Sequence, residues 1–249
     1  MNKFLKIYLI ILGHLVLGLG ILLLFERLKL PDWLSVSVLI FIAFLLLNLS
    51  YYYVFKLNDE IKEFWSLRKL PYLLWGALGG ISISFLPILL KLITGRLVLE
   101  DIHFNADISL AGILLTFVIV GWEELWFRSL LLNYCNKYLS AIKLSLIIGL
   151  LFILLHGLNP GINLQEKGPA LFFAGALLTI LYFYYKSLWM PLGLHFGNNF
   201  FASGIEAGDK NNLLFGEDGY ITAILLATLF ITFLFKMKER QDADLAQIK

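Results

Sequence analysis

The chain sets three formal charges inside one apolar run, Gly121-Trp122-Glu123-Glu124-Leu125-Trp126-Phe127-Arg128. Near the centre of a membrane-spanning helix each charge costs about 2.5 to 3.5 kcal/mol, about 8 to 10 in sum. The 13 Leu, Ile, Phe and Val residues from Leu110 to Leu132 offset only about 4 to 8 kcal/mol of that. Such a helix is marginal alone, so its polar turn must be buried against other helices or against water. Glu124 and Arg128 are four residues apart with the acid first, the favourable order for an ion pair on one helix face. Glu123 points about 100° away. Arg128 can thus hold Glu124 and fix the turn, which leaves Glu123 as the carboxylate suited to general-base chemistry. A purely structural Glu-Arg pair with a protonated spare Glu is the competing reading.

Two more apolar runs carry polar groups of the same kind, His156 in one and His195 with Asn199 in another. The i, i+4 spacing of His195 and Asn199 stacks an imidazole above a carboxamide, a pairing that can orient a substrate carbonyl or donate hydrogen bonds to a developing oxyanion. Gly193 and Gly197 bracket His195 as a small-xxx-small pair, which either lets another helix approach at that level or serves packing alone. His14, alone in an apolar helix, reads as an interior residue, and His103 falls in a predicted loop without a role.

The elements that must position these groups follow from the apolar runs. A helix needs about 20 mostly apolar residues to cross the hydrocarbon core. Runs of that kind fall at 5–25, 33–55, 71–94, 109–132, 140–158, 169–186, 188–206 and 219–236. The expected fold is therefore all-α, a polytopic membrane protein with about eight transmembrane helices in one bundle, and a single domain over 1–249. The N-terminal run is too long for a signal peptide and reads as a retained span. Leu57 to Leu70 mixes apolar and basic residues, as an interfacial amphipathic helix or a charged loop would. With the N-terminus inside, 13 of the 20 basic residues fall on the inner side, six on the outer side, and Arg128 lies within a span. That bias places both termini in the cytoplasm.

Composition narrows the function classes. Of 249 residues, 59% are hydrophobic and 15% charged, which argues against a soluble globular domain. A net charge of +2, with no basic block interleaved with aromatics, argues against nucleic acid as a partner. The single cysteine, Cys135, excludes an intramolecular disulfide and any cysteine-based zinc site. An antiparallel hairpin turned at 133–140 brings Glu123 and His156 within about 5 Å of the same depth. His195 reaches that depth only if the preceding span is short, tilted or broken, and Asn159-Pro160-Gly161 and Pro191 are the expected breaks.

The ordered set Glu123-Glu124-x-x-x-Arg128, Phe152-x-x-x-His156 and His195-x-x-x-Asn199 resembles the three signature motifs of the type II CAAX prenyl endopeptidase family, also called CPBP intramembrane proteases or the Abi family. Lys186 to His195 is similar to that family's approach to its second histidine. The resemblance covers 118–202, which carries the motif region. It implies a membrane-embedded endopeptidase with an eight-helix core, acting on a membrane-associated protein or peptide in contact with the lipid bilayer. By that resemblance Glu123 with His156 activates a water, His195 with Asn199 stabilises the tetrahedral oxyanion, and Glu124 with Arg128 supports the first helix. Family members are often labelled metalloproteases, and a metal-free glutamate mechanism is also proposed for them. The chain lacks His-Glu-x-x-His, although two histidines and a glutamate make a candidate Zn set. The metal-free reading is preferred, because a buried Glu-His pair already supplies a base and donors. Without soluble additions the chain looks bacterial, where relatives are associated with bacteriocin processing or self-immunity and a prenylated substrate is doubtful. Two readings from other classes stand beside it: a transporter whose midplane carboxylates and histidines relay protons, and a non-catalytic immunity or scaffold membrane protein.

Overall fold

A computed structural model describes residues 66–104, 110–136, 138–157, 162–207 and 217–246, with Arg27 and Ile42 as isolated positions. The predicted spans at 5–25 and 33–55, His14 and the Asn159-Pro160-Gly161 break lie outside the described residues. Of the segment Leu57 to Leu70, Leu67–Lys69 form one 3-10 turn.

The described residues are mostly helical, and each of the six remaining predicted spans is a helix. Helix α1 is Pro71–Ile93 and α2 is Leu110–Glu124. From there the chain continues without a break through a π-helical segment, Leu125–Leu131, into the short α3, Leu132–Cys135. Then follow α4 (Ala141–His156), α5 (Leu164–Tyr185), α6 (Trp189–Gly204) and α7 (Glu217–Ala246). The stretches Leu67–Ile93, Leu164–Tyr185 and Gly219–Arg240 are long and apolar enough to cross a membrane, and Ala141–His156 is a shorter apolar helix. Leu150 and Leu154 on α4 and Ile224 and Phe235 on α7 turn outward, as lipid-facing side chains do.

Local signals explain where these helices begin and end. Pro71 opens α1, where its missing N–H is no loss. Asn163 caps α5 by accepting from Gln165 N, Ser140 caps α4 by accepting from Lys143 N, and Ser187 accepts from Trp189 N at the start of α6. Helix α5 stops at Lys186, which takes the left-handed conformation (φ 46°) and leaves a three-residue link to α6.

Two strands depart from the all-α expectation. β1 (Ile102–Phe104) pairs antiparallel with β2 (Ile205–Ala207), so that His103, expected in a loop, lies opposite Glu206. This ribbon ties the chain entering α2 to the chain leaving α6. The three-residue strands are too short for an alternating pattern to stand out within apolar surroundings.

Glycine governs how closely the helices approach. A Cβ on Gly193 or Gly197 of α6 would run into the carbonyls of Leu73 or Ala77 on α1, and one on Gly76 or Gly80 of α1 would run into the carbonyls of Met190 or Leu194. Two glycine pairs, each at spacing four, therefore interlock and bring the backbones into contact. Gly149 and Gly175 do the same between α4 and α5. Gly197→Val should push α1 off α6 and lower stability by about 1–3 kcal/mol, read from thermal unfolding in micelles. Gly79→Ala is the control: its Cβ makes only an ordinary contact with Leu194 at 3.9 Å, so its midpoint should stay level or rise. Equal midpoints for the two variants would refute this packing.

Candidate active site

Glu124, the last residue of α2, is fully buried. Its Oε1 accepts two hydrogen bonds, from Arg128 Nη1 and from His195 Nδ1, each at 2.9 Å. Arg128, in the π-helical segment and also fully buried, donates through Nη2 to the Gly175 carbonyl of α5 at 3.1 Å. Its guanidinium carbon lies 5.4 Å from the ring centres of Phe127 and Phe152. The Glu124-Arg128 pair expected from the spacing thus forms and joins three elements: α5 through a carbonyl, α4 through Phe152 and α6 through His195. The glycine at 175 is what lets α4 approach, since a Cβ there would meet Phe152 Cβ.

The π-helical segment lies outside what the apolar periodicity predicts. A wider turn uses more residues for the same climb, which draws Glu124 closer in depth to His195, seven residues into α6. Helix α5 itself runs 22 residues without interruption, and Pro191 stands in the first turn of α6.

His195 is 7% exposed and is held from both sides. Its Nδ1 donates to the Glu124 carboxylate, so Nε2 carries the lone pair when the ring is neutral. That Nε2 lies 3.8 Å from Glu123 Oε2, an oxygen that is buried and has no hydrogen-bond partner among the described residues. The separation is longer than a hydrogen bond. Glu123 and Glu124, diverging by about 100° around the helix, straddle one imidazole.

His156 donates from Nδ1 to the carbonyl of Phe152 at 2.8 Å, leaving Nε2 for other partners. No hydrogen bond or ion pair joins it to Glu123; the imidazole beside Glu123 is that of His195. Phe152 is the common neighbour, with its ring centre 4.3 Å from His156 and 5.8 Å from His195. His156, His195 and Asn199 line one cavity of about 240 Å³, whose wall also includes Ser84, Lys167 and Asn198. Glu123 is not on that wall and meets the cavity residues at His195. Ser84, Asn198 and Lys167 escape the sequence reading. Ser84 does continue the spacing of Gly76 and Gly80, and Asn198 adjoins Asn199. Lys167 lies in the first turn of α5.

Among the described residues no three His, Cys, Asp or Glu side chains converge as a metal site needs. Both histidines engage Nδ1, His195 with Glu124 and His156 with the Phe152 carbonyl, and each leaves Nε2 for a further partner. No step below runs through a metal.

Residues 105–201 match the family model described as type II CAAX prenyl endopeptidase Rce1-like. The matched stretch contains Glu123, Glu124, Arg128, His156, His195 and Asn199. No curated protein and no solved structure matches the chain. The stretch that is similar to an Rce1-like domain thus supplies most of the cavity wall, and Ile83, Ser84, Pro87, Thr222 and Leu226 complete it from outside the match.

Proposed function

We propose, proceeding from that domain, that this integral membrane protein hydrolyses a peptide bond of a membrane-associated protein or peptide by a metal-free glutamate mechanism. The observation that carries the reading is the pair of acceptors, Glu123 Oε2 and His195 Nε2, set 3.8 Å apart at the edge of a cavity with an amide donor. A water admitted between them by a small side-chain shift on substrate binding donates one proton to each acceptor and turns its oxygen lone pairs outward, toward a carbonyl carbon held in the cavity. Glu123 takes the proton as the C–O bond forms. Asn199 Nδ2 stabilises the resulting oxyanion, joined by His156 when its Nε2 is protonated. The departing amine then takes a proton from the Glu123 carboxyl or from His156, and the C–N bond breaks. Arg128 holds the Glu124 carboxyl in place, and Glu124 keeps His195 in the tautomer whose Nε2 can accept.

The basic bias of the sequence and the grouping of cations at one end of the bundle support cytoplasmic termini. At that end Lys69 Nζ donates to the Lys186 carbonyl and Arg240 Nη1 to the Tyr184 carbonyl. In a bacterial host the role that fits is processing of a bacteriocin or self-immunity.

Glu123→Ala should lower cleavage about 10²- to 10⁴-fold while the protein still accumulates in the membrane. Membrane proteomes of cells making the wild-type or the Glu123→Ala protein should differ by uncut precursors in the variant. Unchanged processing in that variant would remove the proposal.

A further inference from the structure

We infer that Ser84 and Asn198 are positioning residues that lock the Asn199 carboxamide with its N–H edge toward the cavity, an inference that rests on the hydrolytic reading above. A side-chain amide offers an oxygen on one edge and N–H donors on the other, and a half-turn about its last bond exchanges them. The exchange is decisive in a site that must receive an oxyanion. With Nδ2 inward Asn199 donates to the developing charge, and with Oδ1 inward it repels that charge.

The packing of α1 on α6 selects one of the two states. A Cβ on Gly80 would collide with the Leu194 carbonyl and with Asn198 N, so the backbones touch at Asn198. One turn further along α1 stands Ser84, only 4% exposed. At so short a separation even a serine side chain reaches across. Ser84 Oγ lies 2.7 Å from Asn198 Oδ1, with the Asn198 carbonyl at 3.4 Å. Both neighbours are acceptors, so the hydroxyl is the donor. With its oxygen held, Asn198 directs Nδ2 to the other side, where it donates to Asn199 Oδ1 at 3.3 Å. That bond occupies the oxygen of Asn199. Its Nδ2 therefore lies on the opposite edge of a side chain that lines the cavity, without a hydrogen-bond partner among the described residues. Turning over either amide would set oxygen against oxygen or N–H against N–H. With Ser84 as the donor, one hydroxyl on α1 thereby favours one polarity for a group two side chains away.

The test uses the full chain in detergent micelles, with a library of internally quenched fluorescent peptides as the substrate probe. Ser84→Ala should lower kcat about tenfold with KM unchanged, and Asn198→Asp, whose carboxylate faces the Asn199 oxygen and turns that amide over, about a hundredfold. In an Asn199→Ala background the Ser84→Ala loss should vanish, since its route is gone. A Ser84→Ala loss of the same size in both backgrounds would mean a general structural effect and would overturn the inference. A second readout is independent of turnover. In protein labelled with ¹⁵N at asparagine, the Asn199 side-chain amide pair, identified by its loss in Asn199→Asp, should shift in Ser84→Ala, and an unmoved pair would overturn the inference. Absence of any peptide cleavage by the wild-type protein would strike the hydrolytic reading instead, leaving the amide pair to decide the orientation.

Discussion

Arg128→Met is expected to lose about 3–5 kcal/mol of stability and to accumulate poorly in membranes, because it strands the Glu124 carboxylate at zero exposure without a counter-charge. Few single changes cost a domain so large a share of its stability, about 5–15 kcal/mol in all. Methionine keeps most of the apolar length of arginine, so the loss reads the charge and its hydrogen bonds rather than a cavity. Three contacts go at once: the bond to Glu124, the bond to the Gly175 carbonyl and the guanidinium packing on Phe127 and Phe152. Arg128→Lys restores the charge but not the fork that reaches Glu124 and Gly175 together, and should fall between. The double variant Arg128→Met with Glu124→Gln should recover part of the loss, since no unpaired charge remains buried. Thermal unfolding in micelles measures all of these. An Arg128→Met midpoint within about 1 kcal/mol of wild type would show that the pair is solvated after all.

The second large effect concerns rate. Glu124→Gln should lower kcat about 10- to 100-fold, because a neutral amide oxygen is a weaker acceptor than a carboxylate behind the His195 ring. One oxygen, Oε1, takes both bonds, so the amide oxygen of glutamine can keep Arg128 and His195 Nδ1 in place and set its NH2 where Oε2 has no hydrogen-bond partner among the described residues. What is lost is the carboxylate charge behind the His195 ring, which strengthens Nε2 as an acceptor, although every heavy atom can stay in place. Comparing kcat and KM for peptides that the wild type cleaves, with the unfolding midpoint recorded beside them, separates this from a folding defect. A folded Glu124→Gln protein with near wild-type kcat would show that Glu124 serves only the fold.

These two variants mark a difference in what each residue reveals from sequence. Arg128 and Glu124 are legible because their relation is local: four residues on one helix face each other whatever the rest of the chain does. The part of Glu124 in orienting His195 is not legible, since it depends on where α6 lies, 71 residues away in the chain. The same holds for Glu123. An antiparallel hairpin sets it level with His156, but depth alone does not choose a neighbour. The rotation of α4 and α6 decides that, and at about 100° per residue a small change in rotation replaces one partner with another. The π-helical segment adds to this, because its extra residues per turn alter both rotation and rise beyond Glu124.

The sequence by itself determined that the chain is built of apolar helices, where six of them run, and which charged and polar groups they carry inward. Hydrophobic periodicity, caps and the cost of a buried charge act over a few residues and leave their mark in composition and spacing. Only the tertiary structure decided that two carboxylates grip one imidazole, that a ribbon of two short strands ties α2 to α6, and that Ser84 reaches Asn198 across a seam of glycines. Each of these needs two backbones at a particular separation and angle. That separation arises from complementary surfaces meeting, which no single segment encodes.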